Sequence, residues 1–474
     1  MSNHDRNRHG HYLEFRKKYP RFIYRGYSIT ETDESLNLEF DFEIPGLAEF
    51  TPRWEIAKLE SYSMDIEDKR LHQLVFSLGM VELVSYWKTT CPPEIRIQCG
   101  QLSEEQVKWW KKLYKEGLGE FFYLNGIEID NSFVSISCEN ADSSGFSNYG
   151  IKNSIKSPTK KVLIPIGGGK DSAVTIELLE GFAERFCYII NPRKATLDTV
   201  AKSSVPLDKT ITARRKLDPD MLALNKQGFL NGHTPFSAIV AFSSVIAAYV
   251  HGIGLTALSN ESSANEPTVL GSNVNHQYSK SLEFESDFIN YEEKHISSGV
   301  KYFSLLRPLT EIGIAEIFSR LEQYHDIFRS CNSGSKEDKW CAKCPKCLFV
   351  YIILSPFVGQ KRLADIFGES MLNNPAMKPD FEKLIGLKAE KPFECVGSCD
   401  EVNAAMQELV RRLDSDKVPL PELADYYKKL RAGKSFETDH DISAMCRSYD
   451  ENNFVPEELS DWVTKKICKI LQTP

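Results

Sequence analysis

One stretch limits the folds open to this chain more than any other. Lys161-Val-Leu-Ile-Pro-Ile-Gly-Gly-Gly-Lys-Asp-Ser-Ala-Val-Thr-Ile-Glu-Leu-Leu179 runs from an apolar segment through three consecutive glycines into an amphipathic one. An apolar strand, a tight turn and a helix are expected in that order. Glycine lets the backbone bend sharply and come close to an anion, and the first amides of the helix, with Ser172, point N–H and O–H groups at it. A nucleotide phosphate is the natural guest, and a plain strand-to-helix turn of an α/β core is the alternative. The loop is not a Walker A element, because Asp171 rather than Ser or Thr follows Lys170 and Ile164 stands where that pattern begins with glycine.

Gly167-Gly168-Gly169-Lys170-Asp171-Ser172 resembles the Ser-Gly-Gly-x-Asp-Ser loop of the PP-loop ATP pyrophosphatases, which cleave ATP between the α and β phosphates and adenylate a substrate. Gly167 stands in place of the usual serine, so one hydroxyl contact to phosphate is missing. The resemblance implies an α/β fold with a doubly wound parallel sheet of the PP-loop, or HUP-like, kind. In such a sheet ligands sit beyond the carboxyl ends of the strands. The short run Arg185 to Asn191 is expected to lie parallel to the first strand, with adenine near its end.

The chain has 474 residues, 42% of them hydrophobic and 11% aromatic, enough for two or three domains with sizeable cores. With 58 Lys and Arg against 66 Asp and Glu the net charge is −8, which argues against general binding to nucleic acid or to an anionic membrane. Met1 to Pro20 lacks an apolar core, so no secretory signal is expected and the compartment is read as cytoplasmic. Phe236 to Val250 is short for a membrane span and carries Ser237, Ser243 and Ser244; a buried helix is expected.

Three regions are expected: a mixed α/β domain over 1–155, a candidate for substrate binding, an ATP-binding domain over 156–360, and a helical region over 361–474. The first contains the alternating strand pattern Leu36 to Glu43 and an apolar, helix-like segment from Leu71 to Trp87. Its aromatic and basic strings, Tyr86-Trp87-Lys88 and Trp109 to Gly126, fit either a sugar- or base-binding surface or a helix with an aromatic core stripe. Ser143 to Thr159 reads as the linker to the second domain. In the third region Val402, Met406, Leu409, Val410 and Leu413 recur at helical spacing.

Polar residues gather where strands are expected to end. Gly254 to Glu261 is a strand running into a polar turn, so Asn260 and Glu261 become candidate contacts to nucleotide or Mg²⁺. Asn275 to Ser281 adds a second polar cluster containing His276 and Lys280, and His233 lies in Asn231 to Pro235. An isolated histidine in such a loop is more often a hydrogen-bonded structural residue than a catalyst, and His233 and His276 are kept as candidates because they fall beside expected strand ends. Cys395, within Lys391 to Gly397, reads equally as a reactive thiol or an inert buried one.

Of twelve cysteines, Cys331, Cys341, Cys344 and Cys347 form a Cys-x9-Cys-x2-Cys-x2-Cys cluster. Four thiolates so spaced can close a tetrahedral zinc site, structural because protein fills every position; an iron–sulfur cluster is the alternative.

Two families combine a PP-loop with a following cysteine cluster. The 7-cyano-7-deazaguanine synthases are similar in both but about half as long. The closer resemblance is to the UDP-N-acetyl-α-D-muramoyl-L-alanyl-L-glutamate epimerases, carried by Gly167 to Ser172, the Asn260-Glu261 turn, Asn275 to Ser281, the cysteine cluster and Lys391 to Gly397, with Tyr86-Trp87-Lys88 and Gly117 to Gly126 similar too. It implies inversion of the terminal L-glutamate of UDP-N-acetylmuramoyl-L-alanyl-L-glutamate, dependent on ATP and Mg²⁺, through a carboxyl adenylate. His276, His233, Cys395 and Lys280 are the candidates for acid and base; Arg193, Lys194, Arg214 and Arg215 are candidates for the UDP diphosphate. A base-modifying PP-loop enzyme acting on a purine analogue or tRNA, and a non-catalytic nucleotide-binding protein, are the competing readings. The oligomeric state is not legible in the sequence.

Overall fold

A computed structural model describes residues 8–62, 64–139, 160–269, 274–334, 337–433 and 440–472. The expected linker at Ser143 to Thr159 lies outside the described residues. The molecule is a mixed α/β structure built on one large sheet with helical regions packed on it. In chain order the strands are β1 (Arg21–Glu31), β2 (Ser35–Ile44), β3 (Ala48–Phe50), β4 (Arg53–Ala57), β5 (Glu94–Ile97), β6 (Ser135–Cys138), β7 (Lys161–Pro165), β8 (Glu184–Ile190), β9 (Thr210–Lys216), β10 (Leu255–Leu258) and β11 (Lys301–Ser304). They join as β11-β10-β7-β8-β9-β4-β2-β1-β5-β6, with β3 on β2.

The part of the sheet after residue 160 is parallel throughout: β10 pairs with β11 and β7, β7 with β8, and β8 with β9. Strands β7, β8 and β10 are buried on both faces, which accounts for their near-continuous apolar runs, whereas β9 alternates. Along β7 and β8, Leu163, Phe186 and Tyr188 enter one core, while Val162, Ile164, Cys187 and Ile189 enter the other. The first core is completed by the helices Lys69–Glu82 and Phe236–Val250, the second by Glu311–Ser319, Pro345–Leu354 and Cys399–Ser415. Phe236–Val250 is therefore a core helix, as expected, and no helix among the described residues is long and apolar enough to cross a membrane.

β2 bears out the alternation seen in the sequence, with Leu36, Leu38, Phe40, Phe42 and Ile44 all buried. The helix expected from Leu71 begins at Lys69, where the Asp68 carboxylate accepts from the amides of Arg70 and Leu71, and breaks after Glu82 before a short turn, Val84–Trp87. Trp87, Trp110 and Tyr114 are buried in the first core, so the aromatic strings are a packing stripe. β4 pairs antiparallel with β9, so the strands before and after the undescribed stretch at 140–159 belong to one sheet.

The order of connection positions the site. After β7, the helix Lys170–Leu178 leads to β8 and then β9 on one side; the chain returns through Phe236–Val250 to place β10 on the other side of β7. The direction in which strands are added across the sheet thus reverses at β7, and a crevice opens between the loops leaving β7 and β10.

Candidate active site

A cleft of about 390 Å³ occupies that crevice. Its floor is the glycine loop: Gly167, Gly169, Asp171 and Ser172 line it, with Pro165 and Ile166 from the end of β7. Gly168 lies behind them at φ +79°, where an added Cβ would come within 3.1 Å of the Ala195 carbonyl carbon and the Thr196 nitrogen. That position needs glycine both for its backbone and for its closeness to the next helix. Gly167 has no atom within 4 Å of an added Cβ and no positive φ, so neither space nor backbone demands glycine there. Ser172 caps the turn by donating to the Gly169 carbonyl at 3.1 Å.

Lys170 does not reach the cleft. It is buried and pairs with Asp171 and Glu311. Burial works against its charge, but those two carboxylates overcome it and raise the lysine above its ordinary value. Glu311 is pushed up by burial, against the pull of Lys170, with Asp171, Glu261 and Glu401 adding to the rise. The lysine therefore anchors Asp171 from behind.

From the other side Asn260 enters the cleft, held by a 3.0 Å bond from its amide to Ser304 Oγ. Glu261 is buried instead, and its carbonyl accepts from Arg307 at 2.5 Å. Arg307 is fully buried, pairs with Glu285 at 3.0 Å and also donates to the Lys280 carbonyl, tying the two polar loops together. Of the four basic residues considered for diphosphate, Arg193 lines the cleft. Arg215 does not: it is committed to a buried bidentate pair with Glu82, the closest contact being 2.7 Å. Lys194 pairs with Asp198, and Arg214 sits on the far β4–β9 face beside Glu55. Lys346 joins Arg193 as a second cation in the lining.

The four groups considered for acid–base work come together although they are far apart in sequence. Lys280 lines the cleft and its Nζ is 3.3 Å from Cys395 Sγ. His276 and Cys395 each favour the other's charged form, and His276 Nδ1 contacts Glu120. Glu120 Oε2 lies 3.2 Å from His233 Nδ1, and the two imidazole rings are 4.6 Å apart. Burial pushes the Cys395 thiol up, but Lys280, Lys346 and His276 together hold it well below the ordinary thiol value of 9.0. Burial likewise works against the His276 charge, yet Cys395 and Glu120 raise it to about 9. His233, desolvated and beside His276, drops to about 4. The arrangement sets the Cys395 sulfur beside Lys280 on its cleft side, with His276 near it and the Glu120 carboxylate behind His276.

Glu120 and Arg307 were not legible as site residues. Glu120 does carry a signal: it is the one acidic residue in an otherwise aromatic and apolar helix, Gly119–Asn125, where burial requires a partner.

The cysteine loop forms a third wall. Ser330, Cys331 and Asn332 line the cleft, the Arg329 amide donates to the Gly168 carbonyl at 2.7 Å, and Asp338 accepts from the first amides of the helix Lys194–Lys202. The four Sγ atoms of Cys331, Cys341, Cys344 and Cys347 lie within 4.8 Å of one another. The individual separations of 4.0, 3.7 and 3.4 Å surround the value of about 3.8 Å that thiolates take around a tetrahedral ion with bonds of ~2.3 Å. The amide of Gly334 donates to Cys331 Sγ at 3.1 Å, and Ala342 at φ 53° turns the chain between Cys341 and Cys344. The residues present fit a four-thiolate metal ion.

A glycine-loop cleft where the order of strands across the sheet switches, with Lys280 in its wall reaching the Cys395 sulfur, is the build of an α/β enzyme rather than of a scaffold. The profile of the MurL N-terminal domain matches residues 14–305 and that of the MurL C-terminal domain residues 327–437. The chain belongs to the MurL family. Proteins named UDP-N-acetyl-alpha-D-muramoyl-L-alanyl-L-glutamate epimerase are similar to it: one from Salinispora tropica, 32% identical over 82% of this chain and 85% of its own length. Others come from Xanthomonas oryzae pv. oryzae, 32% identical over 73% of this chain and 76% of its own, and a Micromonospora species, 30% identical over 84% and 88%. No solved structure matches the chain significantly.

Proposed function

We propose that the chain inverts the terminal L-glutamate of UDP-N-acetylmuramoyl-L-alanyl-L-glutamate to D-glutamate, with ATP converted to AMP and diphosphate, as a cytoplasmic step in making peptidoglycan precursor. The observation that carries this reading is the bond between Lys280, in the wall of the glycine-loop cleft, and Cys395. Proton-transfer groups therefore sit beside a phosphate-binding loop. A free carboxylate resists loss of the neighbouring α-proton, because the carbanion would place charge beside charge. Attack of that carboxylate on the α-phosphorus of ATP expels diphosphate and leaves a neutral acyl group whose α-proton is far more acidic. His276, Lys280 and Cys395 then remove and return the proton, and hydrolysis frees AMP.

In this reading the amides of Gly167 to Gly169, the Ser172 hydroxyl and the cations Arg193 and Lys346 hold the phosphates in a PP-loop-like site. Asp171, fixed by Lys170, would hold Mg²⁺, which supplies charge neutralisation at the phosphates when bound. The four cysteines would hold a structural zinc ion that keeps Ser330 to Asn332 in the cleft wall.

The test is turnover in D₂O with ATP, Mg²⁺ and the UDP-sugar dipeptide. The reading expects AMP, diphosphate and D-glutamate carrying α-deuterium after hydrolysis. AMP without deuterium would remove the epimerase assignment for this substrate, and neither product would favour a base-modifying or non-catalytic role.

A further inference from the structure

Cys395, His276 and Glu120 stand in the order nucleophile, base and orienting carboxylate, the arrangement by which proteins build covalent acyl intermediates. Lys280 Nζ at 3.3 Å, with Lys346 and His276 adding to it, favours an anionic sulfur against the effect of burial. Seven further cysteines lie outside the four-thiolate cluster. The thiols of Cys91, Cys99, Cys138, Cys187, Cys399 and Cys446 are all pushed up by burial, and Cys468 is exposed on the C-terminal helix. Among the described cysteines outside the cluster, Cys395 is the one whose sulfur a lysine ammonium contacts.

We propose that Cys395 is acylated during turnover, so that the carboxyl group activated in the glycine-loop cleft passes from AMP to the Cys395 sulfur as a thioester, on which the α-proton is exchanged. This rests on the reading given under Proposed function. The bonds balance as follows. The Cys395 thiolate attacks the acyl carbon, the C–O bond to AMP breaks, and the His276 imidazolium passes its proton to the departing phosphate oxygen. His276, now neutral, takes the α-proton; the thioester carbonyl holds the resulting charge as an enolate. The Lys280 ammonium returns a proton to the opposite face. Water then attacks the thioester carbonyl and gives one proton to the Lys280 amine, and the C–S bond breaks to restore the thiolate beside protonated His276. No oxidant or reductant is needed. A thioester serves the chemistry because its carbonyl acidifies the α-proton while AMP is free to leave, and because it keeps the glutamyl carbon attached to a sulfur that Lys280 contacts and whose charge His276 favours.

The experiment uses the full-length protein with ATP, Mg²⁺ and UDP-N-acetylmuramoyl-L-alanyl-L-glutamate, quenched in acid within one turnover and weighed intact. The wild-type protein is expected to gain the mass of the substrate less one water, and neutral hydroxylamine is expected to remove it. Cys395→Ala is expected to show no added mass and to lose α-deuterium incorporation more than 100-fold. It should still release one equivalent of diphosphate per enzyme and yield a substrate hydroxamate from the stranded adenylate, which also proves it folded. A Cys395→Ala protein that exchanges the α-proton within tenfold of wild type would overturn the proposal and leave the epimerase reading intact. So would wild-type turnover in which hydroxylamine captures only adenylate and no mass is ever added to the protein. Absence of diphosphate release from the wild-type protein would overturn both.

Discussion

Two neighbouring glycines make opposite demands. Gly168 lies in the left-handed region against the backbone of Ala195 and Thr196, so Gly168→Ala must strain φ and move a helix start. The backbone strain alone costs about 1–2 kcal/mol, and the substitution is expected to lower thermal stability and abolish ATP binding, as calorimetric titration would read. Gly167→Ser meets no atom within 4 Å, so it is expected to leave the melting temperature unchanged and to keep or strengthen ATP binding. The same scale carries a pH effect. His276 is raised from 6.5 to about 9 in the folded protein, so its charge stabilises fully below pH 6.5 and that contribution fades as pH rises through about 9. Denaturant titrations across that window are expected to show the loss in the wild-type protein and not in His276→Gln. The sequence offered His233, His276, Lys280 and Cys395 as separate polar residues in loops. Their assembly depends on Glu120 reaching across from the N-terminal half, and a pairing over that distance leaves no local pattern to read.

At the scale of elements, the glycine loop, its helix and the parallel strand Glu184–Ile190 were legible because each is dictated by neighbours a few residues away: glycines for the turn, period for the helix, β-branched and aromatic residues for the strand. The cysteine loop was legible from its spacing, but its place as a wall of the cleft was not. That place comes from Asp338 capping the helix Lys194–Lys202 and from the Arg329 amide bond to Gly168. A metal held by the four thiolates would then stabilise the cleft as well as the loop. Removing it with a chelator under reducing conditions is expected to lower the melting temperature and to weaken ATP binding together, and metal analysis of the purified protein is expected to give one zinc per chain. Cys344→Ser should reproduce both effects, since a hydroxyl is a poor fourth ligand.

Across the whole molecule, the antiparallel pairing of β4 with β9 was the least legible feature. Neither strand's composition names its partner, and strand pairing between distant segments is a tertiary choice. The pairing makes the strands before residue 140 and after residue 159 one sheet over a shared core, and Arg215 with Glu82 ties the join from within. Breaking that buried pair by Arg215→Ala is expected to cost about 3–5 kcal/mol. Calorimetry is expected to find the two halves melting in one transition, with the variant lowering it as a unit. A basic residue that looked available for a ligand is thus structural, whereas Arg193, three residues beyond the end of β8, faces the cleft.

The central claim is that a substrate carboxylate attacks the α-phosphorus of ATP in the glycine-loop cleft before the α-proton is exchanged. The most direct measurement labels both oxygens of the glutamate α-carboxylate with ¹⁸O and follows one turnover by mass spectrometry of the nucleotide product. The account predicts AMP carrying one ¹⁸O, taken from the carboxylate when the acyl C–O bond breaks. Unlabelled AMP formed alongside D-glutamate would contradict it.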